Sequence, residues 1–179
     1  MKNNKSILLL LINGLIFMGT TSRALISTDH GPEFPSVNAY WLGHEIIITE
    51  DNEAVNQAVV FNSKKAEYLV VWQWPDGVYG QRINRFGELL EPKHFPISTS
   101  AEARDFPDVA YDPINNRYFV VWNDENSGGS SDYDLSGRFI PWDGPNANSK
   151  EFKIDSRQAN TVKPQVVYNT ADNEFLVLW

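Results

Sequence analysis

Three stretches of this chain are apolar at every position: 68–72 (YLVVW), 118–122 (YFVVW) and 175–179 (FLVLW). Each is built from aromatic, β-branched and leucine residues, the composition that favours a strand. A shorter apolar run precedes each one: Val59-Val60-Phe61, Val109-Ala110-Tyr111 and Val166-Val167-Tyr168. Polar residues separate run from strand. In the second case they are Asp112-Pro113-Ile114-Asn115-Asn116, where Pro presets φ and Asn tolerates left-handed backbone, so a turn is predicted. A third strand is expected around Tyr79-Gly80-Gln81-Arg82-Ile83, ending in a turn at Gly87. A fourth, at Phe95-x-Ile97, is reached through a loop that contains Pro92. Four strands joined by short turns make an antiparallel meander.

The pattern recurs. A sixteen-residue phrase occupies 57–72, 107–122 and 164–179, and its closing tryptophans, Trp72, Trp122 and Trp179, stand 50 and 57 residues apart. Phe95-Pro96-Ile97-Ser98-Thr99 aligns with Phe152-Lys153-Ile154-Asp155-Ser156. Gln81-Arg82-Ile83 aligns with Gly137-Arg138-Phe139, which makes Arg82 and Arg138 counterparts and puts a loop grown by six residues between Trp122 and Arg138. Repetition at this spacing points to a solenoid or propeller. A strand that is apolar on both faces must be covered on both sides. An isolated four-stranded sheet covers neither, whereas like sheets stacked roughly 10 Å apart cover both. Radial stacking of four-stranded sheets is a β-propeller, with about 40–50 residues per blade. A β-sandwich with accidental similarity is the competing reading. The expected fold is all-β, with antiparallel four-stranded blades in a partial or fragmentary β-propeller. Residues 45–179 divide into units of about 50–100, 101–157 and an incomplete 158–179.

The segments AVVFNSKKAEYLVVW with VYGQRINRFG (58–87) and VAYDPINNRYFVVWNDENSGGSSDYDLSGRF (109–139) resemble the propeller-like repeats of secreted, mostly bacterial, proteins. The resemblance covers about residues 45–179. It implies a blade architecture and no particular activity, because a scaffold of this kind hosts many functions.

Residues 1–24 read as a signal peptide. Lys2 and Lys5 give a positive start, 7–17 is apolar apart from Asn13 and Gly14, and Ser22-Arg23-Ala24 offers small residues for cleavage. The apolar run is too short to span a bilayer comfortably, so no stable membrane insertion is expected after cleavage, and the protein is expected to be secreted or extracytoplasmic. Residues 25–44, with Gly31, Pro32, Pro35 and Gly43, read as an extended lead-in. The chain carries 15 Lys and Arg against 23 Asp and Glu, and no cysteine. An acidic chain argues against nucleic acid or an anionic membrane as partner. Without disulfides, stability must come from the core or from metal. Because the third phrase stops at Trp179, the reading favoured is a piece of a longer chain. Oligomerisation and open stacking are the alternatives.

Candidate chemistry is sparse. In the grown loop, Asp124, Asn126, Gly129 and Asp132 fall at positions 1, 3, 6 and 9 of a calcium-loop spacing, and calcium wants hard oxygens at alternating positions. Gly128 at position 5 and Leu135 at position 12 break the pattern, so a flexible acidic loop is the plainer reading; no other cofactor is expected. Arg82 and Arg138 are expected to pair with acidic neighbours such as Asp76 or Asp124. Trp72, Trp122 and Trp179 are expected to pack between sheets. Trp74 and Trp142, like Trp41, lie among polar or turn residues and are candidates for stacking on a sugar ring, with partial burial under loops as the alternative. His30, His44 and His94 form no metal spacing. No Gly-x-Ser-x-Gly elbow and no sialidase-type Ser-x-Asp-x-Gly-x-x-Trp turn occurs, and Asp105 and Asp108 around Pro107 read as turn chemistry. These features point to an exported, non-catalytic repeat scaffold that binds a glycan or protein on a blade face. The alternative is the N-terminal part of a propeller-type glycoside hydrolase or lyase with its catalytic residues outside this chain.

Overall fold

A computed structural model describes residues 10–12, 15–17, 24–26, 44–49, 53–98, 104–125, 133–159 and 163–179. All regular structure among them is β, and no helix is long and apolar enough to cross a membrane. Strands β1 (Leu10–Ile12), β2 (Leu15–Phe17), β3 (Ala24–Ile26) and β4 (His44–Ile46) form a small N-terminal sheet in the order β2-β1-β3-β4. Most of the lead-in, including Trp41, lies outside the described residues.

Two larger sheets follow, each an antiparallel meander in chain order. Sheet I contains β5 (Val55–Asn62), β6 (Glu67–Trp74), β7 (Gly77–Asn84) and β8 (Phe95–Pro96). Sheet II contains β9 (Arg104–Asp112), β10 (Arg117–Glu125), β11 (Tyr133–Pro141) and β12 (Glu151–Ala159). Hairpin III pairs β13 (Gln165–Asn169) with β14 (Glu174–Leu178). The apolar runs met in the sequence are these strands.

The same turn opens all three. Asn62 Oδ1 accepts the backbone N–H groups of Lys64 and Lys65 at 3.0 and 3.1 Å. Asp112 Oδ1 accepts those of Ile114 and Asn115 at 2.9 and 3.0 Å, and Asn169 Oδ1 accepts that of Ala171 at 3.0 Å. Each turn closes on a left-handed residue, Ala66 (φ 54°), Asn116 (φ 50°) or Asn173 (φ 60°). A short polar side chain folding back on its own backbone is the reason Asn and Asp stand here.

Alternation assigns the faces. Leu69 and Val71 of β6 pack in one cluster with Tyr118, Val120 and Trp122 of β10, so this face of sheet I meets sheet II. Val70 and Trp72, one residue out of phase, pack with Ile83 and with Ile48 and Ile46 of the preceding segment. Phe119, on the far face of sheet II, meets Phe175 of hairpin III with ring centroids 5.0 Å apart. Tyr118, Val120, Val121 and Trp122 are fully buried and Phe119 is 4% exposed, so this strand is covered on both sides. Burying each such side chain is worth roughly 1.5–3 kcal/mol, more than a typical hydrogen bond at about 1 kcal/mol. Apolar burial therefore dominates the stacking. Trp179 differs from Trp72 and Trp122: it is 48% exposed, at the margin of a hairpin beside which no third strand lies among the described residues.

The expected pairing of Arg82 with Arg138 as counterparts is overturned by register. Gln81 lies opposite Val70, and Arg138 lies opposite Val120. Arg82 lies opposite Leu69, where sheet II has Phe139 opposite Phe119. The counterpart of Arg138 is thus Gln81, and a one-residue slip turns a side chain to the other face. Trp72 faces Tyr79 across its hairpin and Trp122 faces Ser136, so all the additional length, seven residues rather than six, falls between β10 and β11.

Candidate binding cleft

The facing sides of sheets I and II are taken up by packing, so these two sheets offer ligand chemistry at the ends of strands and in their loops, whereas hairpin III keeps Val167, Leu176 and Leu178 exposed. Trp72 and Trp74 share one face of β6 by their spacing of two. Trp72 is fully buried, while Trp74, at the end of the strand, is only partly so. The Pro75-Asp76 turn reverses the chain and puts Tyr79 opposite Trp72 on the same face. Gly77 makes this tight turn possible: its φ is 152°, and a Cβ there would sit 2.5 Å from Ser98 Oγ. That hydroxyl accepts the Val78 N–H at 2.8 Å, which ties the turn to the end of sheet I.

His94 enters from the loop before β8 and completes an aromatic cluster. Its ring centroid lies 4.6 Å from Trp74, 5.2 Å from Tyr79 and 5.6 Å from Trp72, each edge-to-face. Trp74 and Tyr79 are themselves 5.1 Å apart. These rings, with Glu53, Pro75 and Asp76, line an open cleft of about 370 Å³. The Tyr79 phenol donates to Asp76 Oδ2 at 3.1 Å. Burial, then this carboxylate, raises the Tyr79 pKa, so the phenol is a donor at neutral pH.

Trp142 belongs elsewhere. It follows β11 and is 37% exposed, with the Lys65 ammonium 3.7 Å over its ring. Its carbonyl accepts Arg82 Nη1 at 2.6 Å. It lines a separate cleft of about 370 Å³ with Asn116, Arg117 and Phe139 among others. The two candidate tryptophans are therefore not brought together, and one ring face of Trp142 already carries a cation.

Of the calcium-loop residues, Asp124 lies inside β10, is 6% exposed and accepts the Ser136 hydroxyl at 3.1 Å. Asn126 and Asp132 lie outside the described residues. No group of three potential ligating side chains among His, Cys, Asp and Glu occurs among the described residues.

The expectation that the arginines engage Asp76 or Asp124 is corrected. Arg82 engages Glu91, with Nε and Nη2 each 2.5 Å from Oε1, and has Nη1 3.5 Å from Glu67. Arg138 is buried and donates to the Ile97 carbonyl at 2.6 Å and to Ser149 Oγ at 3.1 Å. Each arginine reaches the sheet its face is turned to, Arg82 toward sheet II and Arg138 toward sheet I.

Asp105 and Asp108 are likewise not turn residues. Both lie in β9 beside a bulge, where Phe106 has φ 53°, matching the bulge at Asn56 (φ 52°) in β5. Asp105 accepts the Gln73 side-chain amide, and Asp108 accepts the Val166 N–H at 2.7 Å. Burial raises the Asp108 pKa against the pull of the Val166 and Val109 backbone N–H bonds. The first strands also frame a wider cleft of about 600 Å³ that includes Asn56, Phe106, Asp108 and Lys163.

Sequence reasoning named Trp74 but not Tyr79 or His94. A signal for Tyr79 existed: a two-residue turn at Pro75-Asp76 fixes Trp72 opposite Tyr79. His94 had none, because a loop carries it in.

The described chain is thus an all-β protein of antiparallel four-stranded sheets with an aromatic cleft at the β6–β7 turn. It matches no family model, no curated protein and no solved structure.

Proposed function

We propose that this chain is an exported, non-catalytic scaffold of the propeller type, in which sheets I and II and hairpin III act as blades and the Trp74–Tyr79–His94 cleft binds a glycan. The blade reading is supported by sheets that lie closest to one another along their first strands, β5, β9 and β13, as wedges around an axis do. The covered facing sides of sheets I and II favour a site at the strand ends. The observation that carries the glycan reading is the cluster of rings in an open cleft, half-buried and packed edge to face. Aromatic faces present apolar surface to the C–H face of a sugar, while a few polar groups beside them orient its hydroxyls.

The reading is tested on the secreted protein. Titration with neutral, amino and acidic oligosaccharides, followed by tryptophan fluorescence, is expected to saturate for at least one class. Trp74→Ala is expected to abolish binding measured by calorimetry, which does not depend on the indole it removes, and to cost about 1–3 kcal/mol in stability because the half-buried ring packs on Tyr79 and His94. No response to any class, or full binding by Trp74→Ala, refutes the proposal.

A further inference from the structure

The lining of the same cleft narrows the ligand class; resting on the glycan reading, we propose that it takes a cationic amino sugar, a hexosamine unit with a free ammonium group. Two carboxylates, Glu53 and Asp76, stand at its edge, and neither Lys nor Arg contributes to the lining. The Asp76 carboxylate is held beside the rings by the Tyr79 phenol. That hydrogen bond engages the phenol's own donor, and Glu53 and Asp76 give the wall two carboxylate acceptors. Trp74, Tyr79 and His94 add ring edges and faces at centroid separations of 4.6–5.2 Å. An ammonium group is drawn both to a carboxylate and to an aromatic face. A hexosamine combines that cation with a C–H face for stacking on the indole. A uronic acid meets like charge, in a chain of formal net charge −8. An N-acetylated sugar has lost the cation and brings an amide N–H that is a weaker match to two carboxylates.

The experiment uses the intact secreted chain at neutral pH and low salt. It compares a glucosamine oligosaccharide, its N-acetylated counterpart and a uronic-acid oligosaccharide of equal length. The glucosamine oligomer is expected to bind at least about tenfold more tightly than the N-acetylated one, with no uronate binding and with affinity falling as salt rises. Glu53→Gln and Asp76→Asn are each expected to weaken glucosamine binding about three- to tenfold without changing the fold, since both are exposed. Trp74→Ala, which leaves every charge in place, is expected to abolish it. Retained binding in Trp74→Ala assigns the attraction to bulk charge and overturns the inference. Equal affinity for the acetylated and free-amine oligomers overturns it too, yet leaves the glycan reading standing. Silence from all three oligomers removes both.

Discussion

The Tyr118 phenol, on β10 of sheet II, donates to Glu67 Oε1 on β6 of sheet I at 3.0 Å. The Tyr118 phenol oxygen in turn accepts the Asn62 side-chain amide at 3.0 Å. Tyr118 and Asn62 are fully buried and Glu67 is 6% exposed, so a polar contact is enclosed within an apolar interface. Burial and then the Glu67 charge push the Tyr118 pKa upward, so the phenol is always a donor. Glu67 is also within 3.5 Å of Arg82, whose guanidinium is anchored on Glu91. Such a network fixes which face of one sheet meets which face of the next, in a way that apolar contacts alone do not.

Removing that hydroxyl tests it. Tyr118→Phe keeps the ring in the core but strips one partner from Glu67 and one from Asn62, whose remaining side-chain partner for the amide is Asn116 Oδ1 at 3.3 Å. The expected cost is about 1–3 kcal/mol by urea denaturation, the penalty for leaving buried polar groups short of partners. Tyr111→Phe removes a bond of 2.7 Å to Asn116 at the edge of the same network and is expected to cost less, about 1 kcal/mol. Equal stability of Tyr118→Phe and the parent would show that the contact contributes nothing.

Arg138 provides the second test. It is 7% exposed, donates to a main-chain carbonyl and to a hydroxyl, and has the Glu151 charge nearby. Arg138→Ala is expected to destabilise by about 1–3 kcal/mol, because Ile97 O loses a buried partner. Arg138→Lys is expected to recover little, since a single ammonium cannot replace the two separate N–H groups of the fork. Arg82→Lys, at a site whose partners Glu91 and Glu67 are carboxylates that an ammonium can still pair with, is expected to be milder than Arg138→Lys in the same denaturation experiment.

How far the sequence discloses this molecule depends on which physical signal each feature leaves. The strands at 68–72 and 118–122 were legible because aromatic, β-branched and leucine residues filled every position, and the demand for cover on both faces followed from the same fact. The turns at Asn62, Asp112 and Asn169 were legible through their side-chain chemistry. The counterpart of Arg138 was not. Aligning arginine with arginine is a chemical match, whereas the sheet is governed by period-two geometry that puts glycine opposite Val71 and Val121. Trp74 was legible as an aromatic among turn residues. Its partner His94 was not, because a loop of irregular backbone brings it there and loops carry no periodicity to read.

Those two glycines sharpen the register argument. A Cβ on Gly137 would stand 2.8 Å from Phe119 Cε2 and 3.1 Å from Ile154 Cδ1. The Phe119 ring is stacked on Phe139 at 4.6 Å and on Phe152 at 5.9 Å, so it has little room to withdraw. A Cβ on Gly80 would stand 2.8 Å from Ile97 Cδ1, 3.1 Å from Phe95 Cε2 and 3.3 Å from Leu69 Cδ1, and Ile97 and Leu69 are fully buried. Gly137→Ala and Gly80→Ala are therefore each expected to cost about 1–3 kcal/mol by thermal or urea unfolding. A Gly137→Ala variant as stable as the parent would contradict the packing described for sheet II.

Asp112 gives the pH test. Its carboxylate is 1% exposed, which by itself would raise its pKa, yet bonds from the Asn115 side chain and backbone, from Arg117 and from the Tyr168 phenol hold it down to about 2. Asn115 Nδ2 and Arg117 Nε reach Oδ2 at 2.7 and 3.0 Å. The folded value lies below the ordinary 3.8, so the folded state prefers the charged form. The stabilisation is complete above about pH 4 and is lost as pH falls toward about 2. Its size at neutral pH is on the order of 2 kcal/mol. Asn62 and Asn169 hold the matching turns with an uncharged amide, so they carry no such dependence. Asp112→Asn keeps an acceptor for the Ile114 N–H and loses the ion pair. It is expected to be about 1–2 kcal/mol less stable than the parent at pH 7 and to converge with it near pH 2, as measured by urea midpoints across that range. A difference that stays constant down to pH 2 would show that the charge of Asp112 plays no part in holding the turn.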